Sequence, residues 1–562
     1  MERVWWKEAI GYELYPKSFM DTNGDGIGDL KGIIKRLPYL KELGIDLLWI
    51  CPFFLSPMRD NGYDVEDYYA VDPQFGNMAD MDALLVRAKE LGIRVIIDMV
   101  LNHTSDRHRW FQEALKDPKS KYRDFYIFKE SKDRPSNARS CFGGSVWEKV
   151  EEDVWYYHTF DKTQPDLNWE CKELRQEIYR ILNYWLDKGV SGFRLDAITY
   201  IKKGASLENA EPQGDDGLHD VADVGLNQPG IGEFLLEMRK ECIDGRDAMT
   251  VAEAPGVPYE EIGEFIGKDG YFSMIFDFSY ADIDLAPGGN WYNQADWTFP
   301  ELKKLILKSQ LSVQKQGWGA IYLENHDQSR SLNKYFRDRA AGPDEPRKRF
   351  LQSTALGTLL FGLRGTVFLY QGEELGVTNT PFDSVDEFDD LNTIDQYYRA
   401  VKAGFNEMEA LKFAGDRSRD NSRTPYPWNA EKYGGFSDVQ PWIKLNPGYR
   451  EINARQQLDA KDSIFRFYQK LIRIRREETE ILIYGLTEDI DVQQDNVLAF
   501  SRKDGAGKKV SIYINMGEEE EKFSVLMGKY LSTNYDKVLC RDNILTLRPY
   551  EAVMLKTVQN EK

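Results

Sequence analysis

Three acidic residues, Asp196, Glu253 and Asp327, each follow a short run of residues with the composition of a buried β-strand. A carboxylate at one strand end is commonly a solvated or ion-paired group. The same arrangement on three separate strands predicts that the carboxylates converge on one reacting centre. Glycoside cleavage needs such a set, because one protonated and one ionised carboxyl group flank a positively charged transition state.

The neighbours of two of these acids support the same interpretation. Arg194 precedes Asp196 by two positions, so that both side chains point to one face of a strand. His326 directly precedes Asp327. A cation beside a carboxylate keeps that carboxylate ionised and oriented, as a reacting acid requires.

Runs with strand composition alternate with helical patterns up to about residue 370. Their regular βα order predicts a closed parallel (β/α)8 TIM barrel rather than an open sheet, because none of the runs reads as a polar edge strand. Barrels of this kind build their site at the carboxyl ends of the strands, where the three acids stand. The predicted strands are 11–15, 45–50, 94–101, 190–195, 249–252, 274–278, 320–323 and 366–370, and the clearest helices are 30–43, 78–91, 174–186 and 231–242.

Three segments depart from this alternation. Residues 104–169, after the third strand, are long, aromatic and polar, which predicts an inserted subdomain. Residues 481–562 contain short alternating runs between charged turns and predict a C-terminal antiparallel β-sandwich domain. The barrel would then consist of residues 1–103 and 170–480. Within it, the Asp-, Asn-, Pro- and Gly-rich residues 376–460 are expected to form a wall of the site.

Composition excludes several classes of partner. Lysine and arginine number 73 against 93 aspartates and glutamates, a formal net charge of −20, which disfavours nucleic acid and anionic membranes. A hydrophobic content of 42% is typical of a globular protein, and 562 residues exceed one core. The 13 Trp, 31 Tyr and 29 Phe offer faces on which sugar rings stack, although most such rings belong to the core.

Cysteine usage and apolar runs indicate the compartment. The five cysteines are an odd number without metal or redox spacing, which argues against a disulfide framework. The N-terminus lacks an apolar signal core, and no apolar stretch reaches the ~18 to 20 residues that span a bilayer. We therefore expect a cytoplasmic protein that binds no membrane and is most simply a monomer.

Seven motifs in a fixed order carry a resemblance to a known family. The chain resembles the large glycoside hydrolase family 13, which contains α-amylase, and within it the oligo-1,6-glucosidase and α-glucosidase branch. The match spans most of the chain. The motifs are Asp21–Asp29, Asp98–His103, Gln164–Asn168, Gly192–Ala197, Glu253–Gly256, Asn325–Asp327 and Arg419–Pro425.

The resemblance implies a role for each of the three acids. Asp196 would be the nucleophile that forms a covalent glycosyl-enzyme, with Arg194 holding it ionised. Glu253 would protonate the leaving oxygen and then activate water. Asp327 would bind sugar hydroxyls and stabilise the distorted ring. The same resemblance places His103 and His326 as donors to hydroxyls of that sugar.

The resemblance also implies a pocket closed at one end. Tyr63 would be a stacking platform, and Gln164 lies in a matching motif. Asp60 and Arg419 would form a pair that closes the pocket floor, which would make the enzyme exo-acting. A plain surface salt bridge between Asp60 and Arg419 is the alternative.

The segment Asp21–Asp29 places oxygen-bearing side chains on alternate residues, as hard cations require. Gly32 occupies the position where an EF-hand has glutamate, so an EF-hand is not expected. Relatives hold a structural Ca²⁺ here, or Mg²⁺ in some cases; no organic cofactor is implied. An Asx- and Gly-rich turn without an ion is the alternative. The ligands implied by the resemblance are Asp21, Asn23, Asp25, the carbonyl of Ile27 and Asp29.

Several related activities remain open. A small residue, Ala197, follows the nucleophile. A branched side chain there would narrow the space beside the leaving group, so we expect α-1,4 linkages to be cleaved at least as well as α-1,6 linkages. Sucrose-isomerising members of the family that the chain resembles carry an arginine-rich stretch between strands six and seven. The matching residues 279–291 contain no arginine, so the resemblance argues against a sucrose isomerase. Transglycosylation or a trehalose-converting activity is an alternative, and residues 202–229 do not match the branch. A non-enzymatic transporter heavy chain or a sugar-binding protein is disfavoured, because all three acids are present.

Overall fold

Eight parallel strands form the sheet at the centre of the computed structural model, which describes residues 3–213, 216–286, 289–342 and 344–557. The sheet runs in the order β6-β5-β4-β3-β2-β1-β8-β7, and a parallel bridge between Phe276 and Ala320 joins its two ends. The predicted TIM barrel is therefore confirmed. Its strands are β1 (Ile10–Leu14), β2 (Leu47–Ile50), β3 (Arg94–Val100), β4 (Gly192–Asp196), β5 (Met249–Ala252), β6 (Met274–Ile275), β7 (Ala320–Ile321) and β8 (Thr366–Tyr370).

The barrel interior is a packed layer of apolar side chains with polar residues above it. Ile96 and Val251 belong to this inner cluster. Since side chains alternate along a strand, Asp98 and Glu253, two positions further on, also point inward, at the carboxyl ends. Gly192 begins β4 at φ 142, and a Cβ there would lie 1.8 Å from the carbonyl oxygen of Met249. Glycine at this position therefore lets β4 approach β5 closely.

Helices surround the barrel. Leu30–Leu43 is a typical example: Asp29 caps its N-terminus by accepting a hydrogen bond from the amide of Gly32, and Gly44 ends it with a φ of 110. The helices of the barrel region are Trp5–Glu8, Leu30–Leu43, Met78–Glu90, Lys172–Lys188, Val221–Gly225, Ile231–Cys242, Ile262–Ile266, Phe299–Gln316, Ser331–Phe336, Pro346–Gly362 and Ile464–Glu477. The segment after β8 adds Leu391–Lys402, Glu407–Arg417, Asp420–Arg423 and Ala454–Asp459.

The segment between β3 and β4 forms secondary structure of its own. It contains the helix Arg109–Lys116 and an antiparallel sheet of Phe128–Glu130, Val154–Tyr157 and Trp147–Glu151. The ammonium group of Lys203, in the barrel region, lies 2.6 Å from Asp166 and so attaches this segment beside β4. The boundaries predicted for the three domains remain predictions.

The C-terminal residues form two antiparallel sheets, in the orders β9-β10-β11-β16-β13 and β12-β15-β14. Apolar side chains such as Val497, Leu545 and Val553 pack between them. The predicted C-terminal antiparallel domain is confirmed. Its strands are β9 (Leu486–Asp489), β10 (Val497–Lys503), β11 (Lys509–Asn515), β12 (Glu521–Ser524), β13 (Gly528–Thr533), β14 (Leu539–Arg541), β15 (Ile544–Leu547) and β16 (Ala552–Thr557). Among the described residues, no helix combines the length and apolarity needed to cross a bilayer.

A buried arginine joins this domain to the barrel. Arg502, on β10, donates to the carbonyl of Gly362 at 3.0 Å and to that of Gly485 at 2.6 Å. It also donates to the carbonyls of Leu482 and Ile483. Burial, together with the nearby Arg475 and Arg364, lowers the pKa of Arg502 well below its usual value. The guanidinium therefore satisfies carbonyl groups that would otherwise lack partners.

We expect Arg502→Met to lower the free energy of unfolding by about 3 kcal/mol, because buried carbonyls lose a charged donor. Denaturant titration of the whole chain measures this change. Arg541→Met, at an exposed arginine, is the control and is expected to unfold like the wild type. Equal stabilities of the two variants would contradict the proposed role of Arg502.

Candidate active site

The three acids lie around one cavity at the carboxyl ends of the barrel strands. Asp196 is the last residue of β4, Glu253 directly follows β5, and Asp327 lies in the loop after β7. The cavity has a volume of about 350 Å³. Its lining includes eight residues singled out from the sequence: Asp60, Tyr63, His103, Asp196, Ala197, Glu253, Asp327 and Arg419.

A single buried guanidinium joins the two acids that would do the chemistry. Arg194 Nη1 lies 2.6 Å from Asp196 Oδ1 and 2.9 Å from Asp98 Oδ1. Arg194 Nη2 lies 2.6 Å from Glu253 Oε2. The arginine is 2% exposed, so these charge-assisted hydrogen bonds are shielded from water. Asp196 and Glu253 are therefore held as neighbours with fixed orientations.

The protonation of Asp196 depends on this arginine. Burial raises the pKa of Asp196 well above its usual value, and the charges of Glu253, Asp98 and Asp327 raise it further. Arg194 opposes these effects. Arg194 therefore favours the ionised form of Asp196, which a nucleophile needs.

The residue after Asp196 adopts an uncommon backbone conformation that also serves Glu253. Ala197 has a φ of 42 and a ψ of 35, in the left-handed region. Its amide donates a 3.1 Å hydrogen bond to Glu253 Oε2. A β-branched side chain would be strained at this φ, which adds a backbone reason for alanine to the steric one.

His326 lies between two carboxylates. Its Nδ1 is 2.5 Å from Glu13 Oε1, and its Nε2 is 3.0 Å from Asp327 Oδ2 and 2.5 Å from the hydroxyl of Tyr63. Burial alone would lower the pKa of His326, but Asp327, Cys51 and Glu13 raise it well above its usual value. Because both ring nitrogens face carboxylates, the imidazole is held as a cation.

The charge of His326 acts on Asp327. Although burial opposes it, His326, followed by Arg419 and Arg423, holds the pKa of Asp327 well below its usual value. Arg423 Nη2 lies 2.8 Å from Asp327 Oδ1, and Arg419 Nη1 lies 3.3 Å from the same oxygen. Asp327 is therefore ionised and can accept hydrogen bonds from a ligand.

The closed end of the cavity is a buried network of charges. Arg419 Nη2 lies 3.1 Å from Asp60 Oδ1 and 2.7 Å from Asp390 Oδ1. Gln164 donates a 3.0 Å hydrogen bond to the other oxygen of Asp60. Since Asp60 is 4% and Arg419 9% exposed, the surface salt bridge considered as the alternative is excluded.

His103 borders the same end of the cavity as a neutral group. Burial lowers the pKa of His103 to about 4, and its Nε2 lies 3.2 Å from the amide nitrogen of Gln164. The ring of Tyr63 stacks on that of His326 with centroids 5.3 Å apart, and its hydroxyl donates to Asp98 at 3.0 Å. Tyr63 therefore connects the network of Arg194 with that of His326.

Several contributors were not recognised in the sequence. Glu13, on β1, and Asp390 and Arg423, after β8, have no predicted role, yet each contacts a predicted site residue. A charged residue inside an apolar strand was the available signal for Glu13, and Arg423 lies in a motif that was already recognised. The cavity wall further includes Phe142, Phe160, Tyr200, Pro255, Phe278, Asp282, Leu285, Trp291, Gln328, Asn392 and Arg417.

The residues of the predicted cation site lie on one loop and do not line the cavity. Asp21 accepts hydrogen bonds from the amides of Gly24 and Gly26, and the carboxylate of Asp25 accepts one from the amide of Ile27. Asp29 is the cap of the following helix. In the described part of the chain, the carboxylates of Asp21, Asp25 and Asp29 form no ion pair. They also do not all lie within 4.8 Å of one another, so binding of a cation would have to bring them closer together.

We expect Glu13→Gln to move the basic limb of kcat/KM to lower pH. The glutamine oxygen can keep the contacts with His326, whose amide also donates to Glu13 at 3.2 Å, but the negative charge is lost. The pKa of His326 then falls, and the cation disappears as pH rises through this lower value. Rates with p-nitrophenyl α-glucoside between pH 5 and 10 measure the shift.

Glu374→Gln is the matched control for this prediction. Glu374 is also a buried glutamate, but it accepts hydrogen bonds from Tyr12, Tyr39 and Tyr426 away from the cavity. Its replacement is expected to leave the position of the basic limb unchanged. A basic limb that shifts equally in both variants, or in neither, would refute the role of Glu13.

Comparison with known proteins gives a consistent assignment. The profile of the family "Alpha amylase, catalytic domain" matches residues 13–485. An oligo-1,6-glucosidase from Bacillus cereus is 39% identical over 99% of this chain and 100% of its own length. Two solved structures are also similar. An isomaltulose synthase variant from Erwinia rhapontici NX5 with sucrose has a TM-score of 0.93 at 37% identity, covering 99% of both chains. A trehalose-6-phosphate hydrolase from Bacillus licheniformis has a TM-score of 0.89 at 37% identity, covering 99% of this chain and 100% of its own.

The family match and the near-complete coverage agree with the arrangement of the three acids at the mouth of the barrel. The resemblance inferred from the seven motifs is confirmed. The chain belongs to the α-amylase catalytic-domain family of glycoside hydrolases.

Proposed function

We propose that the protein is an exo-acting, retaining α-glucosidase that removes the terminal glucosyl residue of short oligosaccharides. The observation that carries this proposal is the shared guanidinium of Arg194, which holds Asp196 and Glu253 side by side. Retaining glycosidases keep their two carboxyl groups ~5 to 5.5 Å apart, closer than inverting enzymes, which need room for a water molecule. Acids bonded to two nitrogens of one guanidinium fit the retaining arrangement.

The reaction would proceed in two displacements. Ionised Asp196 attacks the anomeric carbon while Glu253 gives its proton to the leaving oxygen, so that the glycosidic bond breaks and a glucosyl ester forms. Glu253, now a carboxylate, takes a proton from water, and the hydroxide displaces Asp196. The product glucose keeps the α-configuration.

The rest of the site would bind the terminal glucose. Ionised Asp327 offers an acceptor for its hydroxyls, and neutral His103 offers a ring nitrogen. His326, whose own nitrogens contact Glu13, Asp327 and Tyr63, keeps Asp327 ionised. Arg419 and Asp60 close the end beyond this sugar. Because the closed end leaves no path for a longer chain, the enzyme would cleave one glucose at a time from the non-reducing end.

Linkage preference follows from the leaving-group side. The relative from B. cereus is an oligo-1,6-glucosidase, and small Ala197 leaves room for α-1,4 linkages as well. We therefore propose action on α-1,6 and α-1,4 linkages. The isomaltulose synthase has a similar fold, but residues 279–291 of this chain lack arginine, which favours hydrolysis over sucrose isomerisation. A monomeric state and a cytoplasmic location stay predictions from the sequence.

We expect the wild type to release α-glucose first from maltose and isomaltose, and Asp196→Ala to lose about 10⁴-fold in kcat, because the nucleophile is missing. Proton NMR during the first minutes of reaction identifies the anomer of the released glucose. The chain lengths of the products from maltoheptaose show whether cleavage occurs at the chain end or internally. Asp296→Asn, at a fully exposed carboxylate, is the control. Initial β-glucose, or early internal cleavage of maltoheptaose, would contradict the proposal.

We also propose that the loop Asp21–Asp29 binds Ca²⁺, with Mg²⁺ as the alternative ion. Its donors are Asp21, Asn23, Asp25, the carbonyl of Ile27 and Asp29, and an all-oxygen set suits a hard cation. No described lysine, arginine or histidine forms an ion pair with its three carboxylates. A bound cation would relieve their mutual repulsion and stabilise the loop.

We expect the purified protein to contain about one equivalent of Ca²⁺ and to lose thermal stability on treatment with EDTA, because the metal binds the folded loop more tightly than the unfolded chain. Elemental analysis and a melting curve measure both effects. Asp25→Ala should abolish the response to EDTA. A metal-free protein whose Tm is indifferent to EDTA and to added Ca²⁺ would refute the site.

A further inference from the structure

The loop that follows β6 forms the wall of the cavity next to Glu253, because β6 pairs with β5, after which Glu253 stands. The closed end at Asp60 and Arg419 accepts the terminal glucose. The leaving sugar, whose oxygen would be protonated by Glu253, must therefore lie against the loop after β6. The residues of this loop that line the cavity are Phe278, Asp282, Leu285 and Trp291.

Asp282 is the acidic residue of this wall, and its side chain is held in place. The amide nitrogen of Gln328 donates a 3.0 Å hydrogen bond to Asp282 Oδ1. The other end of that amide accepts a hydrogen bond from Lys334, which also donates to the carbonyl of Ala281 at 2.7 Å. Lys334 thus fixes which end of the Gln328 amide faces Asp282. Within the described parts of the chain, the Asp282 carboxylate has no cation within 4.0 Å.

The cations that line the cavity are already paired with acids. They are Arg417 and Arg419. Arg417 lies 2.5 Å from Asp284, and Arg419 is bound to Asp60, Asp327 and Asp390. No further lysine or arginine of the described residues lines the cavity. Arginine and lysine bind phosphoryl groups largely through their positive charge, and the charges of both cavity arginines already face carboxylates.

We propose that Asp282 makes the leaving-group side of the cavity selective for uncharged sugars against sugars that carry a phosphate. This inference rests on the proposed function, since the roles of Glu253 and of the closed end locate the leaving sugar. A phosphate on that sugar would lie near the carboxylate of Asp282 in a cavity that is partly shielded from water. Repulsion between like charges is strong in such an environment. The hydroxyls of a neutral sugar could instead donate hydrogen bonds to the same carboxylate.

The test compares kcat/KM for maltose and for maltose phosphorylated at O6 of the leaving glucose. We expect the wild type to prefer maltose by about 100-fold or more, as a like-charge contact predicts. Asp282→Lys should raise the ratio of kcat/KM for the phosphorylated sugar to kcat/KM for maltose by about tenfold or more. The ratio for Asp282→Asn should lie between those of the wild type and Asp282→Lys. Asp296→Lys makes the same change in charge outside the cavity and should keep the ratio of the wild type.

A binding measurement separates this inference from the proposed function. Calorimetry measures how tightly Asp196→Ala, with and without Asp282→Lys, binds each of the two disaccharides. The ratio of the two affinities reports the same preference without any turnover. Similar wild-type use of both sugars would overturn the inference, and so would a ratio that Asp282→Lys changes no more than Asp296→Lys does. Absence of wild-type turnover together with a binding ratio that follows Asp282 would contradict only the proposed function.

Discussion

The site depends on one buried cation shared by three carboxylates. Arg194 donates to Asp98, Asp196 and Glu253, and its charge offsets part of the cost of burying acidic groups at this depth. Even with Glu253 protonated for its role as the acid, this one guanidinium faces two further acids, Asp98 and Asp196. That excess of acidic groups suits a reaction whose transition state carries positive charge on the sugar ring, because oriented negative groups stabilise it without rearrangement.

The barrel is what makes this sharing possible. In the sheet, Arg194 stands opposite Asp98 of β3 on one side and Val251 of β5 on the other. In this register Asp98 is level with Arg194, while Asp196 and Glu253 are level with each other, two positions closer to the carboxyl ends. The second network, around His326 and Asp327, consists of Glu13 on β1 and of residues in the loop after β7. Tyr63 joins the two networks by contacting Asp98 and His326.

Much of the cavity wall comes from segments outside the barrel strands. Arg419 and Asp390 belong to the long segment after β8, and Gln164 belongs to the segment inserted after β3. These irregular segments close the cavity at one end, while the loop after β6 shapes the other. The three acids therefore stand at or just after strand ends, whereas the walls around them come from loops that can vary without disturbing the barrel.

The sequence by itself determined the elements and the chemistry. Apolar runs alternating with helical patterns predicted the barrel strands and helices, and short alternating runs predicted the C-terminal strands, since these patterns reflect local backbone geometry. The order of Asp196, Glu253 and Asp327 at strand ends indicated one site. The ends of β6 and β7 were predicted too long, because the apolar residues after Ile275 and Ile321 continue the pattern although regular pairing stops there.

Only the tertiary structure decided which charges meet. His326 and Glu13 are 313 positions apart, and Arg423 and Asp327 are 96 apart, so no local pattern connects them. The pKa of a buried group depends on all its neighbours at once. Whether Asp327 is ionised and His103 neutral therefore depends on the folded cavity. Burial there removes water, so the pKa of each group is set by the charged and polar side chains that the barrel places next to it.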